Sequence, residues 1–122
     1  MFHVYERGGV NVIDVSRDLD IASSGALLSA IELAAGMPYR RTVVNLIDCK
    51  FCDSTGLSVL VRAKRRLGSR VVIVGPSRRE GRRVFELTEL SEALALCATL
   101  EEAMTIPPRI ARSNGGLNER IA

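Results

Sequence analysis

The sequence predicts an α/β fold in which helices pack against a central sheet. Strand-like apolar runs at 10–15 and 71–74 alternate along the chain with segments at 24–35 and 55–68 whose apolar residues recur every three or four positions. The chain has 122 residues, of which 47% are hydrophobic. That composition is enough for one core without a disulfide or metal framework, so we expect a single domain.

Four segments predict the strands of the sheet. Residues 2–6 and 10–15 predict a hairpin, because a glycine pair lies in the connection between them. The mostly apolar run 42–47 predicts a third strand. The β-branched run 71–74 predicts a buried strand, since both of its faces are apolar.

Two long segments predict helices. Residues 24–35 have one apolar stripe and follow Ser23, which we expect to be the N-cap. Residues 55–68 form the clearest helix, and Lys64 is expected at the edge of its apolar stripe, with its stem on the core and its amine in water.

The remaining elements are shorter. Ser77 and Glu80 have the spacing of a capping box and predict a helix to about residue 88. Gly81 inside that helix disfavours it by about 1 kcal/mol relative to alanine. Residues 94–98 predict a last short strand, and residues 100–104 a closing helical turn.

The C-terminal end has a different character. Two prolines at 107 and 108 precede a polar, glycine-bearing and aperiodic segment with three arginines and one glutamate. Such a segment buries too little apolar surface to offset its ordering entropy. We therefore expect a domain over residues 1–106 and a flexible basic tail over residues 107–122.

The composition restricts the compartment and the partners. No apolar run approaches the roughly 20 residues that span a bilayer, and the N-terminus lacks the basic-then-apolar order of a signal peptide. We expect a cytoplasmic protein without membrane contact, whose three cysteines are reduced. The net charge is +3, but the chain has only five aromatic residues and no tryptophan, which argues against a base-stacking surface. Solvated helix faces explain the basic stretches 62–70 and 78–83 better than direct nucleic-acid binding.

Few residues point to catalysis. The chain has no phosphate-binding glycine loop, and its one histidine, His3, is expected on the surface of the first strand. We therefore predict no cofactor, no metal site and no enzyme activity. Cys49 and Cys52 form a C-x-x-C pair, but both precede the helix by several residues, where no helix dipole lowers a thiol pKa. They are interpreted as small apolar residues beside the sheet, and a thiol redox protein remains the alternative.

The segment DSTGL at 53–57 is the most informative part of the sequence. It stands where a strand exit meets a helix, so Asp53 or Ser54 can supply the N-cap oxygen. Gly56 is unfavourable in a first helical turn unless a close approach to the backbone requires it, and we expect that approach to come from another molecule. A hydroxyl at a helix N-terminus is also placed where a phosphate meets the positive end of the dipole.

Three segments in order resemble the STAS domains of bacterial anti-sigma factor antagonists. The run VVNLIDCKFCDSTGLSVL (43–60) is similar to their hydrophobic strand, loop and Asp-Ser-Ser/Thr-Gly-Leu helix start. RDLD (17–20) is similar to their Gly-Glu-Leu-Asp, and RVFELTEL (83–90) to their Arg-Val-Phe-Glu-Leu-Thr-Gly-Leu. The chain departs from the pattern at Arg17 and Glu89, where the family has glycine, and in its basic charge.

This resemblance implies a STAS-type mixed sheet with helices on one face, and a phosphorylation switch. The phosphoacceptor maps onto Ser54. The implied partners are an anti-sigma factor that is also an ATP-binding, histidine-kinase-like serine kinase, and a protein phosphatase that resets the switch. The chain itself is expected to be a monomer or weak dimer. The residues expected at the partner surface are Asp20, Asp53, Ser54, Thr55, Gly56 and Leu57.

Asp20 is expected near Ser54, with a simple turn or N-cap carboxylate as the alternative role. The family also contains stressosome scaffold subunits and small subunits of lipid-trafficking ABC transporters. A transporter-regulating or scaffold subunit, in which Ser54 is packed and never phosphorylated, is therefore the alternative function.

Overall fold

A four-stranded mixed sheet forms the centre of the computed structural model, which describes residues 2–16, 18–36, 41–88 and 90–105. Its strands run in the spatial order β1-β2-β3-β4. The bounds are Phe2–Arg7 for β1, Val10–Val15 for β2, Arg41–Asn45 for β3 and Val71–Val74 for β4. β1 pairs with β2 antiparallel, whereas β2–β3 and β3–β4 are parallel. The predicted α/β class and mixed sheet are confirmed.

The β1–β2 hairpin closes through Gly8 and Gly9, whose φ angles are 58° and 77°. A two-residue connection with both φ angles positive matches the right-handed twist of the strands, and glycine adopts it without a steric cost. The hairpin predicted from the sequence is therefore present, with β1 reaching one residue further than expected.

Five helices and one 3₁₀ turn at Gly68–Arg70 connect or follow the strands in the described part of the chain. Their bounds are Ser24–Ala35 for α1, Ser54–Leu67 for α2, Arg79–Leu87 for α3, Leu90–Leu94 for α4 and Leu100–Thr105 for α5. The predicted helix at 24–35 coincides with α1, and α2 begins one residue before the predicted 55.

Alternating strand residues build a separate core on each face of the sheet. Ile13, Val44 and Ile73 face the larger core, to which α1, α2, α3 and α4 contribute. Their neighbours in sequence, including Val12 and Val43, face a smaller core that α5 covers. The expectation of helices on one face holds for α1–α4, but α5 packs on the other face.

The strand predicted at 94–98 is wrong in most of its length. Leu94 ends α4, and Ala95 takes a positive φ of 52° that turns the chain. Only Cys97 bridges to Val74, in the parallel sense. Its carbonyl accepts from the N–H of Gly75 (2.9 Å) and its N–H donates to Ile73 (2.8 Å), which satisfies the open edge of β4.

Of the two predicted serine caps, the N-cap position of Ser23 is confirmed, whereas the cap at Ser77 is wrong. Ser23 occupies the N-cap position of α1 but makes no side-chain cap bond, because its hydroxyl is engaged by the preceding turn. The Ser77 hydroxyl donates to the Ile47 carbonyl (2.9 Å), and α3 begins at Arg79. A Cβ on Gly81 would lie 2.7 Å from the Cys49 carbonyl oxygen, so this glycine permits close packing of α3.

The predicted tail at 107–122 and the end of the predicted domain at 106 lie outside the described residues.

Lys64 differs from its expected position: its amine donates to the Val71 carbonyl (2.6 Å) instead of pointing into water. Among the described helices, none combines the length and the apolar character that crossing a membrane requires.

Candidate functional site

The start of α2 is fixed by Asp53. Asp53 has an extended backbone, and its Oδ1 atom accepts from the N–H of Gly56 at 2.9 Å. Its carbonyl accepts from the N–H of Leu57 at 3.0 Å. Asp53, not Ser54, is therefore the N-cap, which leaves the Ser54 hydroxyl uncommitted to capping.

A short parallel bridge joins this segment to the loop before α1. Leu19 pairs with Cys52: the Leu19 N–H donates to Phe51 (2.8 Å), and the Asp53 N–H donates to Leu19 (3.0 Å). Asp20 follows Leu19 directly, as Asp53 follows Cys52. The two loops thus run side by side, and the segment carrying Asp20 lies beside the segment that leads to Ser54.

Gly56 is required by this same contact. A Cβ at Gly56 would lie 2.7 Å from the Leu19 carbonyl oxygen and 2.8 Å from Leu19 Cγ. Real Cβ atoms do not approach backbone that closely. The expectation that another molecule approaches Gly56 is wrong, because the neighbour is Leu19 of the same chain.

The predicted surface residues differ in their accessibility. Ser54 is exposed as the first residue of α2, and its hydroxyl has no hydrogen bond to any described residue. Asp20, Asp53 and Thr55 are half-buried. Gly56 and Leu57 are buried and support the helix start from below.

Asp20 is tied into the turn before α1. Its Oδ1 atom accepts from the N–H groups of Ala22 (3.0 Å) and Ser23 (3.2 Å). The Ser23 hydroxyl in turn accepts from the Asp20 N–H (3.1 Å). Asp20 was expected either near Ser54 or as a simple turn carboxylate, and its Oδ1 atom does stabilise the turn. Oδ2 accepts no hydrogen bond from any described residue, so this oxygen keeps acceptor capacity for another molecule.

Two exposed apolar residues beside the site were not identified from the sequence. Ile21, next to Asp20, is 78% exposed, and Phe51, next to Cys52, is 52% exposed. They place apolar surface on the two loops that the Leu19–Cys52 bridge joins. Their positions in the sequence could have indicated them, because Ile21 follows Asp20 and Phe51 precedes Cys52.

The cysteine pair has the environment of a core, not of a redox site. Cys49 is 0% exposed and Cys52 is 2% exposed. Burial, together with the nearby Cys49 and Asp53, raises the pKa of the Cys52 thiol to about 12. Burial also raises the pKa of Cys49. Reactive thiols need a lowered pKa and access to solvent, and this pair has neither.

His3 stands on the surface of β1, as predicted. Its side chain is 76% exposed, with Nδ1 3.8 Å from Asp14 Oδ2 and its ring beside that of Tyr5. Across the described ranges, no group of three or more His, Cys, Asp or Glu side chains is arranged to hold a metal ion.

Known proteins resemble this chain over most of its length. The family model for the STAS domain matches residues 1–103. The anti-sigma-F factor antagonist RsfB of Mycobacterium tuberculosis is 30% identical over 104 residues, which cover 84% of each chain. A crystal structure of an anti-sigma factor antagonist from Mycobacterium paratuberculosis is 30% identical with a TM-score of 0.74, and the match covers 86% of this chain and 91% of that one.

A more distant structure has the same fold. SpoIIAA in its unphosphorylated form is 22% identical with a TM-score of 0.69, and the match covers 85% of this chain and 93% of that one. The resemblance first drawn from three sequence segments is thereby confirmed. The chain belongs to the STAS domain family.

Proposed function

We propose that this chain is an anti-sigma factor antagonist whose binding is switched by phosphorylation of Ser54. The observation that carries the proposal is the exposed Ser54 hydroxyl, held on a helix start that is already capped by Asp53. The 30% identity to the mycobacterial anti-sigma-F factor antagonist supports the same function. A more distant protein of this fold, SpoIIAA from Bacillus, has been solved in a phosphorylated form.

The chain contributes a hydroxyl, and the partner contributes the chemistry. An anti-sigma factor with serine kinase activity would bind ATP and transfer its γ-phosphoryl group to Ser54 Oγ, releasing ADP and the hydroxyl proton. A protein phosphatase would hydrolyse the phosphoserine and restore the hydroxyl. The chain is thus a binding protein and a kinase substrate, not a catalyst.

Phosphorylation at this position changes the charge of the docking surface. A phosphate adds a charge of about −1.5 to −2 beside the carboxylates of Asp53 and Asp20. The positive end of α2 stabilises the phosphate in the free protein. A partner that fits the neutral hydroxyl would instead have to bury this charge, so we expect the phosphorylated chain to dissociate.

The test compares binding by Ser54 variants. Immobilised Ser54→Ala protein, which cannot be phosphorylated, should capture an anti-sigma factor kinase from a lysate of the native organism, identified by mass spectrometry. Ser54→Glu should capture much less of the same protein. Ser29→Ala is the matched control, because Ser29 is an exposed serine on α1 and not on α2; it should bind and release with ATP as the parent does.

Two outcomes would contradict the proposal. Equal capture by Ser54→Ala and Ser54→Glu would show that position 54 does not control binding. Capture of transporter or scaffold subunits in place of a kinase would favour the alternative function.

A further inference from the structure

A groove runs along the exposed side of α2, away from the sheet. It has a volume of about 540 Å³ and begins at Ser54. Its lower wall is apolar, formed by Leu57 and Val61 of α2 and by Leu90 of α4. Because Leu90 comes from a separate helix, the groove is a cleft between two elements and not the bare side of one.

One helical stripe of polar residues borders the groove. Ser54, Ser58, Arg62 and Arg65 follow one another at intervals of four, four and three residues, so they lie in one row along α2. All four side chains are exposed. At 1.5 Å per residue, Arg62 and Arg65 lie about 12 and 16 Å from Ser54 along the helix axis.

The arginines of this helix are not equivalent. Arg66 is committed to α1, since its NH1 atom lies 2.7 Å from Glu32 Oε2. Arg62 and Arg65 form no ion pair with any described residue. The far end of the groove therefore carries two arginines that no described residue pairs with, above an apolar floor. Asp53, which caps α2, and Asp20, in the loop bridged to it, give the Ser54 end the opposite sign.

We infer that this groove binds an acidic amphipathic helical segment of the same anti-sigma factor partner that engages Ser54. Apolar side chains of that segment would cover Leu57, Val61 and Leu90, and its carboxylates would meet Arg62 and Arg65. The inference rests on the proposed function only in the identity of the partner. The opposite charges at the two ends fix the direction in which the partner lies along α2, because reversing it would bring like charges together.

The first experiment uses a synthetic probe and does not require the partner. The probe is a helical peptide as long as α2, with leucines on one face and glutamates on the other; the comparison peptide has lysines in place of the glutamates. NMR spectra of the ¹⁵N-labelled full chain should show that the glutamate peptide shifts the amides between Ser58 and Arg66 and that of Leu90. Equal shifts from the lysine peptide, or shifts confined to other surfaces, would overturn the inference.

The second experiment tests the arginines. The double variant Arg62→Gln with Arg65→Gln should bind the glutamate peptide roughly three- to thirtyfold more weakly, with a flatter salt dependence. The matched control replaces Arg79 and Arg82, which are exposed on α3 outside this groove, with glutamine. It should bind as the parent does. Equal losses in both double variants would indicate general attraction and no specific groove.

Three other possible occupants of the groove, namely DNA, an anionic membrane and a second copy of this chain, are tested with separate probes. If Arg62→Gln with Arg65→Gln removes binding to duplex DNA or to anionic vesicles while peptide binding is unchanged, the groove serves a different partner. If it abolishes self-association in sedimentation, the occupant is a second copy of this chain. Each result would overturn the assignment.

The captured anti-sigma factor separates this inference from the proposed function. If Ser54→Glu weakens its binding but the arginine pair has no effect, the switch stands and the groove assignment fails. If the arginine pair weakens its binding and Ser54→Glu does not, the groove stands and the switch fails.

Discussion

The two ends of α2 are held by different kinds of contact. At the start, Asp53 caps the helix through Gly56, and Gly56 lies directly against Leu19. At the other end, Gly68 turns the chain with a φ of 56°, and the Lys64 amine reaches the Val71 carbonyl. The last turn is otherwise basic and exposed, which suits the negative end of the helix dipole. Close packing thus fixes the helix start that carries Ser54. At the far end of α2, long side chains carry the charge.

The largest expected effect on stability comes from a substitution at the start of α2, where Gly56 packs against Leu19. Gly56→Ala should lower the free energy of unfolding by about 1–3 kcal/mol, because its Cβ must displace Leu19. Urea denaturation measures the change. The control is Gly25→Ala in α1, where a Cβ has no atom within 4 Å and should leave stability unchanged or slightly raised. Similar behaviour of the two variants would show that Leu19 does not constrain the start of α2.

The buried cysteines that precede α2 predict a pH dependence of stability. Cys49 and Cys52 have raised pKa values in the folded chain, so above the usual thiol pKa of 9.0 they ionise first in the unfolded chain. The folded state then binds more protons, and stability falls as the pH rises from about 9 towards the folded pKa values. Thermal unfolding should show this decline in the parent, and a smaller one after Cys49→Ala with Cys52→Ala. An equal decline in both proteins would place its cause elsewhere.

The cap can be separated from its charge. Asp53→Ala removes the acceptor for the Gly56 N–H and should cost about 1 kcal/mol of stability. Asp53→Asn keeps a side-chain oxygen and should retain most of it. Chemical denaturation of the two variants shows whether the hydrogen bond or the negative charge of Asp53 stabilises the helix start. Equal losses would mean that the negative charge, not the hydrogen bond, stabilises this helix start.

The smallest expected effects on stability come from substitutions in the last, basic turn of α2. Lys64→Met keeps the apolar stem but leaves the Val71 carbonyl without its donor, and should cost about 1 kcal/mol or less. Arg65→Met, at the next and exposed position, should change stability by less than about 0.5 kcal/mol. A larger loss for Arg65→Met would contradict the view that Arg65 presents charge without contributing to the fold.

Local patterns in the sequence predicted the elements where local physics decides them. The bounds of α1 follow from a 3.6-residue period that ends at Gly36. The hairpin follows from its glycine pair. The segment 94–98 failed because a short apolar run does not distinguish a strand from the end of a helix, and the positive φ of Ala95 has no sequence signal.

The start of α2 was predicted from the sequence, but the residues packed around it were not. Ser54 and Asp53 follow from a motif at a helix start. The roles of Ser77 and Gly56 depend on Ile47 and Leu19, distant residues that only the fold brings close, so local rules gave each the wrong neighbour. The groove has the same origin, since one wall comes from α4.

Phosphosite mapping tests the central claim most directly. The parent chain is incubated with the captured anti-sigma factor and ATP, and the phosphate is located by fragmentation mass spectrometry. We predict one phosphate per chain, on Ser54, absent from Ser54→Ala and retained in Ser58→Ala. Phosphate found only on Thr55 or Ser58, or full modification of Ser54→Ala, would contradict the assignment of Ser54 as the switch.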